Sequence, residues 1–207
     1  MTKCPPVVHE SASVELGARF ADALMAASTW HRDQRRKGSR VPYLGHLLAV
    51  AAYIIDAGGS EEAAIAALLH DAIEDQPQRS GGKAGLEKRF GKVVASIVAE
   101  CSDSDPVGGV ERSPENWIAR KRAYIADLDH KSRDALLVSL ADKLHNATSI
   151  LADLRGHNSE DVWERFNAGK QEQLEYYHEL ARRFHSLMPG PMADELNRVV
   201  AEIVREA

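Results

Sequence analysis

The sequence has few of the features that mark disulfide-linked, thiolate-zinc or membrane-spanning proteins. Its 207 residues include two cysteines, Cys4 and Cys101, which do not form a CxxC pair. This argues against a disulfide framework and a thiolate zinc site, and we expect a cytoplasmic protein. The longest apolar run, from Leu47 to Ile55, is far shorter than the ~20 residues of a membrane span. The N-terminal residues also lack the apolar core of a signal peptide.

The chain has no excess of positive charge. Lysine and arginine number 26 against 31 acidic residues, a formal net charge of −5. This balance does not indicate the excess positive charge typical of nucleic-acid-binding proteins, although a local basic cluster can still bind phosphate. We therefore expect a small-molecule substrate and neither a nucleic-acid nor a membrane partner. The length predicts a single domain over residues 1–207.

Strand-like alternation of Val, Ile and Thr is also absent, and apolar residues recur with helical spacing. The pattern predicts an all-α fold, a single bundle of about eight to ten helices. Gly58-Gly59 ends one predicted helix and Ser60 caps the next, while Ser113-Pro114-Glu115 marks another helix start. The segments 76–85 and 102–113 are predicted loops. The predicted helices span 12–30, 43–57, 60–75, 84–103, 115–128, 132–154, 160–187 and 191–205.

The segment AALLHDAIED concentrates ionisable groups at the end of an apolar helix. Glu74 follows His70 by four residues and Asp75 follows Asp71 by four, so each pair shares a helix face. Three carboxylates this close repel one another unless a cation compensates them. This favours a metal or substrate site, whereas the alternative is a solvated acidic helix end.

Two other apolar segments each contain a polar residue at a buried position. His46 lies in a helix that is apolar on both sides, where a lone histidine is more often a hydrogen-bonded core residue than a ligand. Asp142 interrupts the run ALLVSLADKLHN, and a buried carboxylate requires a partner or an ion. Its alternative is a structural Asp–Lys or Asp–Arg pair. Asn146 lies one turn further along the same face.

Together, His46, His70, Asp71 and Asp142 provide a nitrogen and oxygen ligand set from separate helices. Such a set suits Mn²⁺, Fe²⁺ or Zn²⁺ and is too rich in imidazole for Ca²⁺. Four protein ligands leave open positions on a six-coordinate ion, as metal-assisted phosphoester hydrolysis requires.

A basic run, HRDQRRKG, precedes the loop that delivers His46. Such a run is usually a solvated helix end. Arg36 and Lys37 lie nearest the turn and are the predicted phosphate contacts, because arginine offers a bidentate fork and lysine a point charge. His31, at the start of the run, has no ligand partner evident in the sequence.

Four blocks of the sequence agree in order and spacing with a known family. RK at 36–37, PYxxH ending at His46, HDxxED from His70 and LADKLHN around Asp142 resemble the HD hydrolase domain of RelA/SpoT-type alarmone enzymes, above all the small hydrolase-only members. The motifs extend over about residues 20–154, and the helices of 160–207 are expected to pack on this core.

The resemblance implies hydrolysis of the 3′-pyrophosphate of (p)ppGpp-like nucleotides with Mn²⁺ as the usual metal. It implies that His46, His70, Asp71 and Asp142 bind the metal and that Glu74 and Asp75 position or activate water. It further implies nucleotide contacts from Arg36, Lys37, Asn146 and Tyr176, with Tyr177 as an alternative to Tyr176. His145 is interpreted as structural.

The sequence departs from the family at Leu47, where proline is usual, and has no room for a synthetase module. We therefore expect a chain that degrades alarmone and does not make it. Two other hypotheses stay open: an HD phosphohydrolase for (p)ppApp, NADPH or a nucleoside phosphate, and a non-enzymatic nucleotide-sensing module. The amphipathic C-terminal helices either close the core or form a homodimer face.

Overall fold

The computed structural model describes residues 14–102, 116–156, 162–166 and 168–207. Within these ranges the all-α prediction is confirmed, with nine helices of at least nine residues, two four-residue helices and no strand. None of these helices combines the length and apolarity needed to cross a bilayer. The helices are α1 Ala18–Trp30, α2 Leu44–Asp56, α3 Glu61–Leu69, α4 Ala72–Asp75, α5 Pro77–Ser80, α6 Gly82–Phe90, α7 Lys92–Cys101, α8 Trp117–Asp127, α9 Arg133–Leu154, α10 Lys170–Leu187 and α11 Pro191–Glu206.

Helix α3 is the centre of the first core cluster. Every residue from Ala63 to Leu69 is buried, and α3 contacts α1, α2, α7 and α9. Four of these seven residues are alanines, whose small side chains let the surrounding helices approach closely. Because α3 is enclosed on all sides, the residues immediately after it also enter the interior.

Helix α9 joins this cluster to a second one. Val138 and Ala141 lie in the first cluster, whereas Leu140 and Leu144 lie in the second, with α10 and α11. A helix that is apolar on two faces can pack in two directions. The C-terminal helices therefore pack on the motif-bearing helices through α9.

Two predicted helices are interrupted. The predicted helix 60–75 breaks at His70 and Asp71, where Asp71 has φ −95° and ψ 1°, and resumes as α4. The predicted helix 84–103 breaks at Gly91, whose φ of 92° is outside the helical region and suits glycine.

The prediction of a loop over 76–85 is wrong for most of the segment, because α5 spans Pro77–Ser80 and α6 begins at Gly82. Pro77 begins α5, in keeping with its fixed φ at the first helical position, and the Ser80 hydroxyl donates to the Ala72 carbonyl at 3.0 Å. The predicted helix 160–187 begins only at Lys170, and residues 162–166 form turns. The predicted starts at 12, 115 and 160, the Ser113-Pro114-Glu115 cap and the loop from 103 to 113 lie outside the described residues.

Ser60 links the helices that carry His70 and Asp142. Its Oγ accepts from the Ala63 backbone N–H at 3.1 Å and donates to Asp134 Oδ2 at 3.0 Å. Replacing Ser60 with alanine removes the cap of α3, so we expect the free energy of unfolding to fall by about 1 kcal/mol. Urea denaturation measures this. Ser96→Ala, within α7, is the control, and equal stability of the two variants contradicts the capping role.

Candidate metal centre and cavity

The four predicted metal ligands lie near one another, and His46, His70 and Asp142 form a group that could hold one ion. His46 comes from α2, His70 and Asp71 from the break after α3, and Asp142 from α9. His46 Nε2 lies 3.2 Å from Asp142 Oδ1 and 3.8 Å from Asp71 Oδ2. His70 Nε2 lies 2.9 Å from Asp71 Oδ2 and 3.7 Å from Asp142 Oδ1.

The His70 ring is held by the end of its own helix. Nδ1 lies 2.8 Å from the Ala67 carbonyl oxygen, which can only accept, so Nδ1 carries the proton in this contact. In the neutral ring, Nε2 therefore presents a lone pair toward the carboxylates. A second ring nitrogen fixed in this way is the usual arrangement for a metal-binding histidine.

His46 has an equivalent support from His145. The two Nδ1 atoms are 2.8 Å apart, so one ring donates to the other. Burial, His46 and Arg36 lower the pKa of His145 to about 4, and burial also lowers the pKa of His46. Both rings are therefore neutral at pH 7. His145, interpreted from the sequence as structural, orients a predicted ligand.

Asp142 is surrounded by donors. Lys143 Nζ donates to Oδ2 at 2.5 Å and Asn146 Nδ2 donates to Oδ1 at 2.6 Å. Burial alone raises the pKa of a carboxyl group, but the Lys143 charge and the two imidazoles hold the pKa of Asp142 well below its usual range. The carboxylate is thus ionised and fixed in orientation.

Asp71 is oriented by a tyrosine. Tyr43 Oη donates to Asp71 Oδ2 at 2.5 Å, and the Tyr43 ring contacts the His46 ring edge-on at 5.3 Å between centroids. Although burial opposes ionisation, His70 and His46 lower the pKa of Asp71. Tyr43 belongs to the PYxxH block, where only its spacing to His46 hinted at such a role.

This donor set fits a divalent metal ion. Among the described residues, the Nε2 atoms of His46 and His70 are buried without a hydrogen-bond partner, although carboxylate oxygens lie nearby. Although burial lowers it, Asp71 and Asp142 raise the pKa of His70 well above its usual range, so without a metal ion a proton on His70 compensates the carboxylates, and a bound cation would take its place. Ligands about 2.1 Å from a shared ion lie about 3 Å apart at right angles, which matches the shorter distances here. The ligand atoms of His46, His70 and Asp142 all lie within 4.8 Å of one another.

The two predicted catalytic acids lie in different surroundings. Glu74 lines a small polar cavity of about 50 Å³ next to His70 and Asp142, and Ser102 Oγ donates to it at 2.6 Å. Asp75 instead accepts from Gln34 Nε2 at 2.7 Å. Loss of solvent around the carboxyl group and repulsion by Asp71 raise the pKa of Asp75 to about 6. Asp75 therefore accepts a proton near neutral pH more readily than an ordinary aspartate.

A larger cavity of about 580 Å³ opens beside the metal ligands. This volume is in the range of sites that hold nucleotide-sized ligands, roughly 300–1,000 Å³. Its lining includes His46 and brings together all four predicted substrate contacts and Tyr177. The predicted contacts on its wall are Arg36, Lys37, Asn146 and Tyr176.

Arg36 is connected to the metal centre through Asn146. Its Nη2 donates to Asn146 Oδ1 at 2.9 Å, and Asn146 in turn donates to Asp142. The other arginines of the basic run are elsewhere: Arg32 pairs with Asp33, and Arg35 donates to backbone carbonyls. Arg36 and the exposed Lys37 thus line the cavity, whereas Arg32 and Arg35 are not among its lining residues.

Four residues that were not predicted to bind metal or substrate or to act in catalysis support the site. His145, Tyr43 and Lys143 hold ligands, and Gln34 holds Asp75. His145, Tyr43 and Lys143 lie within or next to the motif blocks, so proximity in sequence was a signal for them. Gln34 lies 41 positions from Asp75, and no pattern in one sequence indicates that pair.

Comparisons with known proteins agree with this geometry. Residues 23–185 match the family model described as HD domain. The chain is 36% identical over 136 residues to a guanosine-3′,5′-bis(diphosphate) 3′-pyrophosphohydrolase MESH1 of Xenopus tropicalis, covering 64% of this chain and 70% of the relative. It is 30% identical to the bifunctional (p)ppGpp synthase/hydrolase SpoT of Escherichia coli over 91% of this chain, but spans 26% of that longer protein.

A solved structure is also similar. It was described under the words "a metazoan ortholog of SpoT hydrolyzes ppGpp and plays a role in starvation responses", and its TM-score is 0.70 at 27% identity. The match covers 91% of this chain and 97% of that chain. The similarity therefore extends over nearly the whole of both folds, not only the motif blocks.

Binding of a divalent ion should stabilise the protein. We expect Mn²⁺ at one hundred times its dissociation constant to raise the free energy of unfolding by about 2.7 kcal/mol. Asp71→Asn should lose most of this gain because an amide is a weaker ligand. Thermal denaturation with Mn²⁺ and with EDTA measures the effect. Asp22→Asn, an exposed carboxylate paired with Arg89, is the control, and an undiminished gain in Asp71→Asn contradicts the ligand assignment.

Proposed function

The chain belongs to the HD-domain family and is a metal-dependent phosphohydrolase, and we propose that it hydrolyses the 3′-pyrophosphate of (p)ppGpp, releasing pyrophosphate and GDP or GTP. One observation carries this proposal. The cavity that His46 lines is also lined by Arg36 and Lys37, so a cluster suited to a metal ion and a phosphate-binding surface share one space. The names of the relatives, ppGpp hydrolases among them, support the substrate.

We propose His46, His70, Asp71 and Asp142 as the metal ligands and Mn²⁺ as the ion. A bound divalent ion supplies Lewis-acid polarisation of the phosphoryl group and lowers the pKa of water. Hydrogen bonds with the Ala67 carbonyl, His145, Tyr43 and Asn146 keep the four side chains in place before substrate arrives.

The substrate is proposed to enter the large cavity with its phosphates toward Arg36 and Lys37. Arg36 is held by Asn146 at 2.9 Å and lies 5.8 Å from the centroid of the Tyr43 ring, so its guanidinium is ordered next to the metal centre. Tyr176 and Trp117 supply aromatic walls for the nucleoside. A preordered cation of this kind binds phosphate at a small entropic cost.

Asp75 and Glu74 are proposed to handle the attacking water. Asp75 is the more suitable proton acceptor because its raised pKa lies close to neutrality. Glu74 lines the small cavity together with His70 and Lys143, which supports a role in orienting water near the ligands. We expect this chemistry to take place in the cytoplasm as part of a stringent response.

Pyrophosphate release across several nucleotides tests the substrate. With Mn²⁺ present, the purified protein should convert ppGpp to GDP and pyrophosphate, and EDTA should abolish the reaction. The panel includes ppApp, NADPH and a nucleoside triphosphate, with products separated by ion-exchange chromatography. If the protein hydrolyses one of these and leaves ppGpp intact, the proposed substrate is wrong, although the phosphohydrolase assignment still holds.

Replacement of Asp75 tests the proton acceptor. Asp75→Asn retains the shape and the acceptor for Gln34 but cannot take up a proton, so we expect kcat to fall by about 10²–10⁴-fold. Steady-state kinetics with ppGpp measure this, and circular dichroism confirms the fold. Asp194→Asn, on α11, is the matched control. A kcat within twofold of wild type rules out Asp75 as the acceptor.

Replacement of Arg36 tests phosphate binding. Loss of a charge-assisted contact of about 1.5–3 kcal/mol corresponds to a roughly tenfold to hundredfold rise in KM for Arg36→Ala. Arg36→Lys should be intermediate because lysine lacks the bidentate fork. Arg32→Ala, from the solvated part of the same basic run, is the control. If Arg32→Ala and Arg36→Ala raise KM equally, the rise reflects the lost positive charge in general and contradicts a specific phosphate contact by Arg36.

A further inference from the structure

A short chain of hydrogen bonds connects the end of α1 to Asp75. His31 Nδ1 lies 2.7 Å from Gln34 Oε1, and Gln34 Nε2 donates to Asp75 Oδ2 at 2.7 Å. Gln76, the residue after Asp75, also donates to Gln34 Oε1 at 2.9 Å. The Gln34 amide therefore has partners on both of its ends.

These partners allow only one orientation of the Gln34 amide. The ionised Asp75 carboxylate can only accept, so the NH₂ group of Gln34 must face it, which leaves Oε1 facing His31 Nδ1 and Gln76 Nε2. Because Oε1 can only accept, His31 must carry its proton on Nδ1. Burial lowers the pKa of His31 and so keeps the ring in this neutral form.

The surrounding packing holds His31 in place. Its side chain is 1% exposed, and its ring stacks on the Tyr43 ring with 5.5 Å between centroids. From α5, Arg79 donates to the Trp30 carbonyl and pairs with Asp33 at 2.9 Å. These Arg79 contacts and the Gln34–Asp75 hydrogen bond together join the end of α1 to the segment that contains α4 and α5.

We propose that His31 and Gln34 are positioning residues for Asp75. The inference rests on the proposed function, in which Asp75 accepts a proton from water. Neither residue is among those that line the large or the small cavity in the described part of the chain. The amide N–H restricts rotation of the Asp75 carboxylate and stabilises its charged form, and His31 keeps the amide turned toward it.

The rival explanation is a purely structural brace between α1 and α4. The two explanations differ in what a substitution changes. A brace affects stability and, through loosened packing, binding and turnover together. A positioning chain that does not touch substrate affects kcat with little change in KM, and it alters the protonation of Asp75 itself.

The first test is Gln34→Leu in the full-length, Mn²⁺-loaded protein. We expect kcat for ppGpp to fall about tenfold to hundredfold with KM within about twofold of wild type. The acid limb of the kcat profile should move to higher pH, because loss of a donor raises a carboxyl pKa. The control is Gln171→Leu, which removes an exposed glutamine–carboxylate bond to Glu175 of 2.9 Å on α10.

The second test uses His31. In His31→Asn the side-chain amide nitrogen takes the place of Nδ1 and can donate to Gln34, so this variant should retain most of kcat. His31→Leu lacks the donor and should lose kcat as Gln34→Leu does. The double variant His31→Leu/Gln34→Leu should be no slower than Gln34→Leu alone, since both act on the same carboxylate.

A readout independent of turnover separates this inference from the proposed function. Carbon-13 NMR of the Asp75 carboxyl group in the diamagnetic Zn²⁺-loaded protein should give a higher pKa in Gln34→Leu than in wild type. If the wild-type protein does not hydrolyse ppGpp, the proposed function fails, and the NMR titration still decides whether Gln34 holds Asp75. An unmoved Asp75 pKa, or a loss of kcat matched by an equal rise in KM, overturns the positioning role and leaves only the brace.

Discussion

Two imidazoles and two carboxylates share one small buried space, and much of the architecture around them follows from the need to compensate their charge. Although burial opposes it, Asp71 and Asp142 hold the pKa of His70 well above its usual range, so a proton on Nε2, 2.9 Å from Asp71 Oδ2, compensates part of their charge. Burial of charge on this scale is unfavourable unless each group is paired or coordinated. The residues around them meet that requirement with donors: Lys143 and Asn146 on Asp142, and Tyr43 on Asp71.

The break after α3 is a consequence of the same constraint. A continuous helix through His70 and Asp71 would place consecutive side chains about 100° apart around the axis. At Asp71 the backbone leaves the helical conformation, and both side chains reach the cluster that His46 and Asp142 enter from α2 and α9. This is possible because α3 is buried from Ala63 to Leu69, so its C-terminal end lies inside the core and not at the solvent-exposed surface.

The hydrogen bonds around the proposed ligands connect the metal centre to the proposed phosphate-binding residue. Asn146 touches both Asp142 and Arg36, so the metal centre and the proposed phosphate contact share one amide. The Gln34 amide likewise contacts two residues, His31 and Asp75. A shift of either amide therefore moves a charged group at the proposed reaction centre, which is why neutral residues of this kind are good targets for substitution.

From the sequence came the helical class, which the structure confirms, and the residues proposed as ligands and as the basic pair, because helical periodicity and the i, i+4 spacing of HDxxED act within a few residues along the chain. The sequence did not determine that the helix stops at Leu69, that Glu74 and Asp75 face different surroundings, or that His145 supports His46 and Gln34 supports Asp75. These were decided by tertiary structure, since each depends on residues brought together from distant segments, such as His46 and His145 at 99 positions apart. Local pattern records which side chains are unusual, whereas packing decides which of them meet.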